Sequence, residues 1–201
     1  MFCRPGQTEL MARRRDITRD DILDAAQRLM QQRGANGFSV RDLSGEIGFS
    51  AASLHHHFPS RADLLAAVLR RYRERFNARM AEIEAETENF FARLERLIAH
   101  FASVAGAENR VCPAAVSAVE FNTLPEAARD ESLALWANLS GWIFRFSQQA
   151  KVDGDLPGRT APDLAARHFT ATLQGALLLQ RMTHPGTLLE VLHEAVESLR
   201  R

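Results

Sequence analysis

A chain of 201 residues, 46% hydrophobic and 25% charged, carries enough apolar surface for one large or two small packed domains, which excludes a disordered segment. Its 25 basic and 25 acidic residues cancel overall, yet residues 1–80 hold 14 basic against 9 acidic groups and residues 81–201 hold 11 against 16. That basic head on an acidic body suits a protein that meets nucleic acid at one end. Two cysteines, Cys3 and Cys112, rule out a disulfide framework and imply a reducing cytoplasm; the missing signal-peptide core and the absence of any apolar run near the roughly 18 residues of a span exclude export and a membrane helix.

Residues 1–15, MFCRPGQTELMARRR, show no periodicity and read as a flexible arm, with Met1 or Met11 as its start. The run Arg13 to Arg15 is placed to touch a DNA backbone or minor groove. A helix follows with Ile22, Ala25, Ala26 and Leu29 on one face. Three starts share one spacing, Thr18-x-x-Asp21, Ser39-x-x-Asp42 and Ser60-x-x-Asp63, each a capping box with aspartate in place of glutamate. Between Ser39 and Arg61, SVRDLSGEIGFSAASLHHHFPSR, two short helices are divided at Gly48. The first aligns Val40, Leu43 and Ile47. The second is capped by Ser50 and turns Leu54 and Phe58 to one face, leaving Ala51, Ala52, Ser53, His55 and His56 to the other.

A helix of about eight residues is unstable alone, so the second must be held by its neighbours through Leu54 and Phe58. Helix, glycine turn and exposed second helix is the arrangement that enters a DNA major groove. Small residues at 51–53 allow close approach, Arg41 can reach a guanine edge, and Arg61 can grip a phosphate. The expected DNA-facing set is Ser39, Arg41, Ser50, Ala51, Ala52, Ser53, His55, His56, His57 and Arg61.

The run ITRDDILDAAQRLMQQRGANGFSVRDLSGEIGFSAASLHHHFPSRADLLAAVL resembles the N-terminal domain of the TetR family of bacterial transcriptional regulators, through Ile22, Ala25, Ala26, Leu29, Gly34, Gly37, Gly48, Phe49, Ser50, Ser53, Leu54, Phe58 and the closing Ser60-Arg61 with Leu64-Leu65. The resemblance implies a helix-turn-helix domain over residues 16–76 and an effector-binding and dimerisation domain over 77–201. Two positions depart from the family pattern. His55 stands where members often have a phosphate-binding tyrosine, which would make DNA affinity depend on pH, and Ser44-Gly45 stand where an alanine usually comes first.

From Arg61 the residues Leu64, Leu65, Val68, Leu69, Tyr72, Phe76, Met80 and Ile83 keep helical spacing, so one helix leaves the first domain and enters the second. The arginines between Arg70 and Arg79 read as a solvated face whose early members can aid DNA binding. Further helices are expected from Phe90 to Val104, ended by Gly106; from Cys112-Pro113 to Thr123; after Leu124-Pro125, with Leu135, Leu139, Trp142 and Phe146; from Asp163, capped by Thr160, to His184; and from Thr187 onward. No strand pattern occurs. The expected fold is all-α, a three-helix DNA-binding domain and a helical bundle, about nine helices in all.

The family resemblance further implies a small-molecule effector in the second domain and a homodimer through the last two helices, where Gly175 and Ala176 would allow close packing. Expected ligand-binding residues are Phe101, Cys112, Val116, Glu120, Leu139, Trp142, Phe146 and Gln174, with Asn138 and His168 as further polar groups; the alternative for each is core or surface. The segment VCPAAVSAVEFNTLPEAAR resembles a branch of the family that includes electrophile sensors. Cys112 at a helix start, near Arg110, is then expected to hold a lowered pKa, against the alternative of a small buried hydrophobe.

Rival readings are weaker. Glu190-x-x-His193 is half of a di-iron carboxylate site without its second copy, and consecutive His55, His56 and His57 point about 100° apart. No catalytic set, cofactor or metal is expected. The chain therefore reads as a repressor of a palindromic operator, released by an effector; the alternatives are a repressor that senses electrophiles or redox state through Cys112, an all-α enzyme that binds no DNA, and a regulator without effector.

Overall fold

The computed structural model describes residues 17–201 except 49, 107 and 109; the arm 1–15 with its arginine run lies outside the described residues. Local chemistry sets the first helices. Helices α1 (Arg19–Arg33), α2 (Val40–Ile47) and α4 (Arg61–Glu86) each begin at the expected capping box, with Thr18, Ser39 and Ser60 as N-caps. In α2 the Ser39 hydroxyl, and then its backbone N–H, donate to the Asp42 carboxyl and hold it below its ordinary pKa, while the Asp42 N–H donates back to Ser39 Oγ at 3.2 Å. Helix α3 (Ala51–His57) starts at Ser50, whose Oγ accepts from the Ser53 N–H at 3.1 Å.

The second body comprises α5 (Phe90–Ala105), α6 (Pro113–Val119), α7 (Glu126–Asp153), α8 (Pro162–Met182) and α9 (Thr187–Arg200). Nine α-helices and no strand occur among the described residues. Two expected boundaries move. Helix α6 stops at Val119, and Phe121–Thr123 forms a 3₁₀ turn instead of continuing the α-helix. There Thr123 Oγ1 and the Leu124 N–H both turn back to the Glu120 carbonyl, and Pro125 denies the preceding residue a helical conformation. The cap of α8 is Ala161, not Thr160, because Pro162 takes the first helical position and its fixed φ sets the start without a side-chain cap.

Helix α4 is the shared spine. It is buried along one side from Leu64 to Ile83, packs on α1 near its start and on α5 and α7 further along, and Phe76 meets Phe101 of α5 with ring centroids 6.4 Å apart. Layers α4, α7, α8 and α9 then follow in order, and one continuous apolar core runs through both bodies. The arginines of α4 are not a loose solvated face as expected. Arg70 and Arg73 both donate to Glu131 of α7, at 2.7 and 2.8 Å, Arg71 and Arg75 reach Asp24 of α1, and Arg79 pairs with Glu82 and Glu86. Each is held by a carboxylate, so this stretch braces helices and does not offer free cations to DNA.

Burial alone would raise the Glu131 carboxyl, but hydrogen bonds from Arg70 and Arg73 outweigh it and leave its pKa below the ordinary value. A depressed carboxylate stabilises the fold above its unfolded pKa and ceases to as pH falls through its folded one. Glu131→Gln is accordingly expected to lower stability by about 1–2 kcal/mol near pH 7, with the difference from the parent shrinking below about pH 4, as measured by urea denaturation across pH.

Gly45 offers an opposite change. It sits inside α2, is exposed, and a methyl there would meet no atom within 4 Å. Gly45→Ala is expected to raise stability by about 1 kcal/mol in the same assay.

Candidate nucleic-acid interface and effector cavities

Gly48, in the left-handed conformation at φ 68°, ends α2 and turns the chain so that α3 crosses it. Leu54 and Phe58 are each 3% exposed and hold α3 from beneath, and the Arg19 guanidinium lies 4.8 Å from the Phe58 ring centroid. The opposite face carries Ala52, His55 and His56 exposed, with Ser53 and His57 half-buried. Small and polar groups on that face let a helix lie close to base edges.

The remaining expected contacts divide. Arg41, second in α2, is exposed and makes no hydrogen bond or ion pair among the described residues, so its fork is available. Ser39 and Ser50 are exposed, but their hydroxyls are engaged in caps. Arg61 is committed inward: its guanidinium donates to the Ala35 and Phe38 carbonyls and lies 5.6 Å from the Phe38 ring centroid. It pins the loop between α1 and α2, and any phosphate must share it. His55 Nδ1 approaches the Pro59 carbonyl at 3.4 Å.

A second set of contacts joins the two bodies at the end of α1, whose last carbonyls lack helical partners. The Gln31 carbonyl accepts from the Val111 N–H at 3.3 Å and from Arg181 of α8 at 3.4 Å, and Arg181 also reaches the Gln32 carbonyl. Glu120 Oε2 accepts from the Asn36 N–H at 2.9 Å, and Asn36 Nδ2 donates to Thr123 Oγ1 at 2.7 Å. Gly34 makes room for this: its φ is +92°, and a Cβ there would fall 2.3 Å from Glu120 Oε1. Glu120, expected as a ligand residue, lines a small cavity and with its carboxylate also seats the loop after α1.

A cavity of about 500 Å³ is a groove between α4 and α7 that includes Phe76, Asn77, Met80, Glu84, Asn138 and Trp142. Of the expected ligand residues Trp142 lines it, its Nε1 donating to Glu84 Oε1 at 2.7 Å, as does Asn138, one of the two further polar groups. Phe146 stacks edge-on against Trp142 at 4.9 Å and under Arg93 at 4.0 Å, outside the groove lining. Phe101 and Leu139 are core residues, each 1% exposed, as the alternative reading held. Val116 lines a smaller cavity of about 190 Å³ beside Glu120 and Arg181, and His168 is exposed. Asn77 and Glu84 escaped sequence reasoning although they lie three before and four after Met80 on one helical face, because only the apolar members of α4, Met80 among them, were followed.

Gln174 is buried, and its amide, which makes no other hydrogen bond, faces the Cys112 thiol. Cys112 is 2% exposed, with its Sγ 3.5 Å from the Tyr72 hydroxyl. Burial pushes its thiol up, against the opposing pull of the Tyr72 hydroxyl and the Ala114 and Ala115 amides at the start of α6. The expected lowered pKa is therefore corrected: a helix start is outweighed by desolvation. Arg110, expected nearby, is paired at 3.7 Å with Glu108. Among the described residues no three His, Cys, Asp or Glu side chains gather as a metal site, and His193 meets Glu95 at 3.2 Å rather than Glu190. No helix among the described residues is long and apolar enough to cross a membrane.

A capped helix-turn-helix unit with an exposed second helix, carried on a separate helical body, defines a DNA-binding regulator. The family models agree on both parts: "Bacterial regulatory proteins, tetR family" matches residues 22–68, and "Tetracyclin repressor-like, C-terminal domain" matches 91–196. The chain belongs to the TetR family of bacterial transcriptional regulators, and so is a regulator rather than an enzyme. A TetR-family regulator structure from Agrobacterium tumefaciens is 31% identical, with 90% of this chain and 96% of that one covered and a TM-score of 0.85. A structure from Legionella pneumophila, 23% identical over 94% of this chain and 100% of that one, shares the fold with a TM-score of 0.81. The HTH-type transcriptional repressor KstR2 of Rhodococcus jostii is 32% identical over 80 residues, a match that spans 40% of this chain but only 39% of that repressor's length.

Proposed function

We propose that the protein is a homodimeric repressor that places α3 of each copy in successive major grooves of a palindromic operator and lets go when a small molecule occupies its second body. The observation that carries this reading is the division of α3, with Leu54 and Phe58 buried and Ala52, His55 and His56 exposed. A two-fold pair suits so short a reading helix, since one half-site binds weakly. The 500 Å³ groove between α4 and α7 is the effector's place, with Asn77, Glu84 and Asn138 to orient it and Phe76, Met80 and Trp142 to cover it. Because α4 runs from the Arg61 end, beside α3, into that groove, a ligand that parts α4 from α7 tilts the DNA-binding unit.

The test is to map bound DNA genome-wide, then to measure affinity for the recovered site with and without metabolites of the neighbouring genes. A metabolite that weakens binding supports the reading; protein that ignores duplex DNA at low salt overturns it. Two variants separate the arginines. Arg41→Ala is expected to lose about 1–3 kcal/mol and to relax preference at one base pair. Arg61→Ala is expected to weaken matched and scrambled duplexes alike and to reduce the salt slope by about 1, in fluorescence anisotropy at several salt concentrations.

A further inference from the structure

A second cavity, of about 290 Å³, opens between α1, α4, α5 and the loop before α6. Its polar lining is cationic or neutral: Gln27, Gln31, Tyr72, Arg75, His100 and Arg110. No carboxylate belongs to that lining, although Asp24 pairs with Arg75 at 3.0 Å and Glu108 stands off from Arg110 at 3.7 Å. Three buried polar atoms here make no protein hydrogen bond of their own. Gln31 is 0% exposed, and the single 3.4 Å bond between the Gln27 and Gln31 amides leaves Gln31 Nε2 and Gln27 Oε1 unsatisfied; Arg110 Nε is the third. Reversing both amides exchanges their roles but still leaves one donor and one acceptor over.

A buried amide donor without a partner and a guanidinium N–H that makes no hydrogen bond and only a 3.7 Å ion pair with Glu108, in a cavity walled by Phe76 and Val104, are the complement of an acceptor group on an apolar body. We propose that this cleft binds a compact organic monocarboxylate, its anionic head taken by Arg110 and the Gln31 amide and its apolar part laid against Phe76. Such a molecule satisfies the stranded donors and needs no new cation. It also bridges α1, which carries Gln27 and Gln31, to α5 and the Arg110 loop, beside the contacts that Val111 and Arg181 make with the end of α1. The site shares only Phe76 with the groove between α4 and α7, and Gln31 and Arg110 lie outside that groove, so the test of these two residues stands or falls without the effector reading given above.

The test is isothermal titration calorimetry of the full-length protein, without DNA, using benzoate as probe and benzamide as its neutral counterpart. Benzoate is expected to bind the parent and to bind Arg110→Met and Gln31→Met at least about tenfold more weakly, with benzamide weaker than benzoate by a similar factor. Thermal melting guards against a folding defect. Gln31→Met removes an unpartnered buried amide, so it is expected to melt at an equal or higher temperature while it loses benzoate. Absence of benzoate binding to the parent, equal affinity in both variants, or equal affinity for benzamide would overturn the proposal.

Discussion

Replacing Phe58 by alanine is expected to cost about 3–5 kcal/mol of stability and to weaken operator binding by more than a hundredfold. The size follows from what Phe58 does. It is 3% exposed, it closes α3 as the C-cap residue with its N–H on the Leu54 carbonyl at 2.8 Å, and Arg19 covers its ring. Helix α3 has seven residues and cannot persist without that anchor. A domain of ordinary stability, about 5–15 kcal/mol, leaves room for the variant to remain folded at low temperature. Circular dichroism would then show helical content near that of the parent, while fluorescence anisotropy shows the operator released. Phe58→Leu, which keeps most of the volume, is expected to lose far less of both. An alanine variant that bound operator as the parent does would remove α3 from the interface.

The caps and turns were legible in the sequence because they are local. Thr18 with Asp21, Ser39 with Asp42 and Ser60 with Asp63 need only the spacing of one helical turn, and Gly48 and Gly106 end helices at positive φ. What escaped is non-local. Nothing near Arg70 in the chain announces Glu131, 61 positions on, and nothing near Asn36 announces Glu120, 84 positions away. The same limit explains Cys112. Its position at a helix start is readable and favours a thiolate, while the Tyr72 ring and the surrounding core that desolvate it come from elsewhere in the fold. Amphipathic spacing also cannot tell a core aromatic from one lining a cavity, which is why Phe101 and Leu139 stood beside Trp142 as equals.

The contacts that were not legible are those that make the two bodies one mechanical unit. Arg71 and Arg75 hold α1 to α4, Arg70 and Arg73 hold α4 to α7, and Arg181 with Glu120 holds α8 and the end of α6 to the turn after α1. Most of these are arginine–carboxylate pairs or arginine–carbonyl bonds, directional and exchangeable, around an apolar core that is continuous. A helix shift in the second body therefore has discrete partners to leave and rejoin in the first. For the proposed repressor that is the physical content of coupling, and in the proposed homodimer it makes the geometry of the pair decisive, since a tilt matters only when two reading helices must keep a fixed spacing.

Leu179→Glu combined with Met182→Glu is expected to yield a folded monomer whose operator affinity falls by about 10³-fold, toward the level of non-specific binding. Along α8 the residues Leu164, His168, Ala171, Gly175, Leu178 and Met182 follow one another at spacings of four and three, and none of them is buried. Leu179 is 51% and Met182 82% exposed, and a Cβ on Gly175 would meet nothing within 4 Å. Ala176, expected beside Gly175 on this face, is instead buried in the core, so the open stripe belongs to the Gly175 side of the helix. The outward face of α9 is more charged, with Glu190, His193, Glu194 and Glu197 beside Leu189, so α8 supplies most of the apolar area for a second copy. A stripe at this spacing is self-complementary about a two-fold axis, and two buried carboxylates per copy cannot be accommodated across it. Because both side chains are exposed in a single copy, their replacement leaves the intrinsic stability of one chain within about 0.5 kcal/mol. Light scattering of the eluted protein gives the mass, and a melting temperature that no longer depends on protein concentration gives an independent sign of the monomer. A double variant that stays dimeric and keeps its operator places the two-fold axis elsewhere on the molecule.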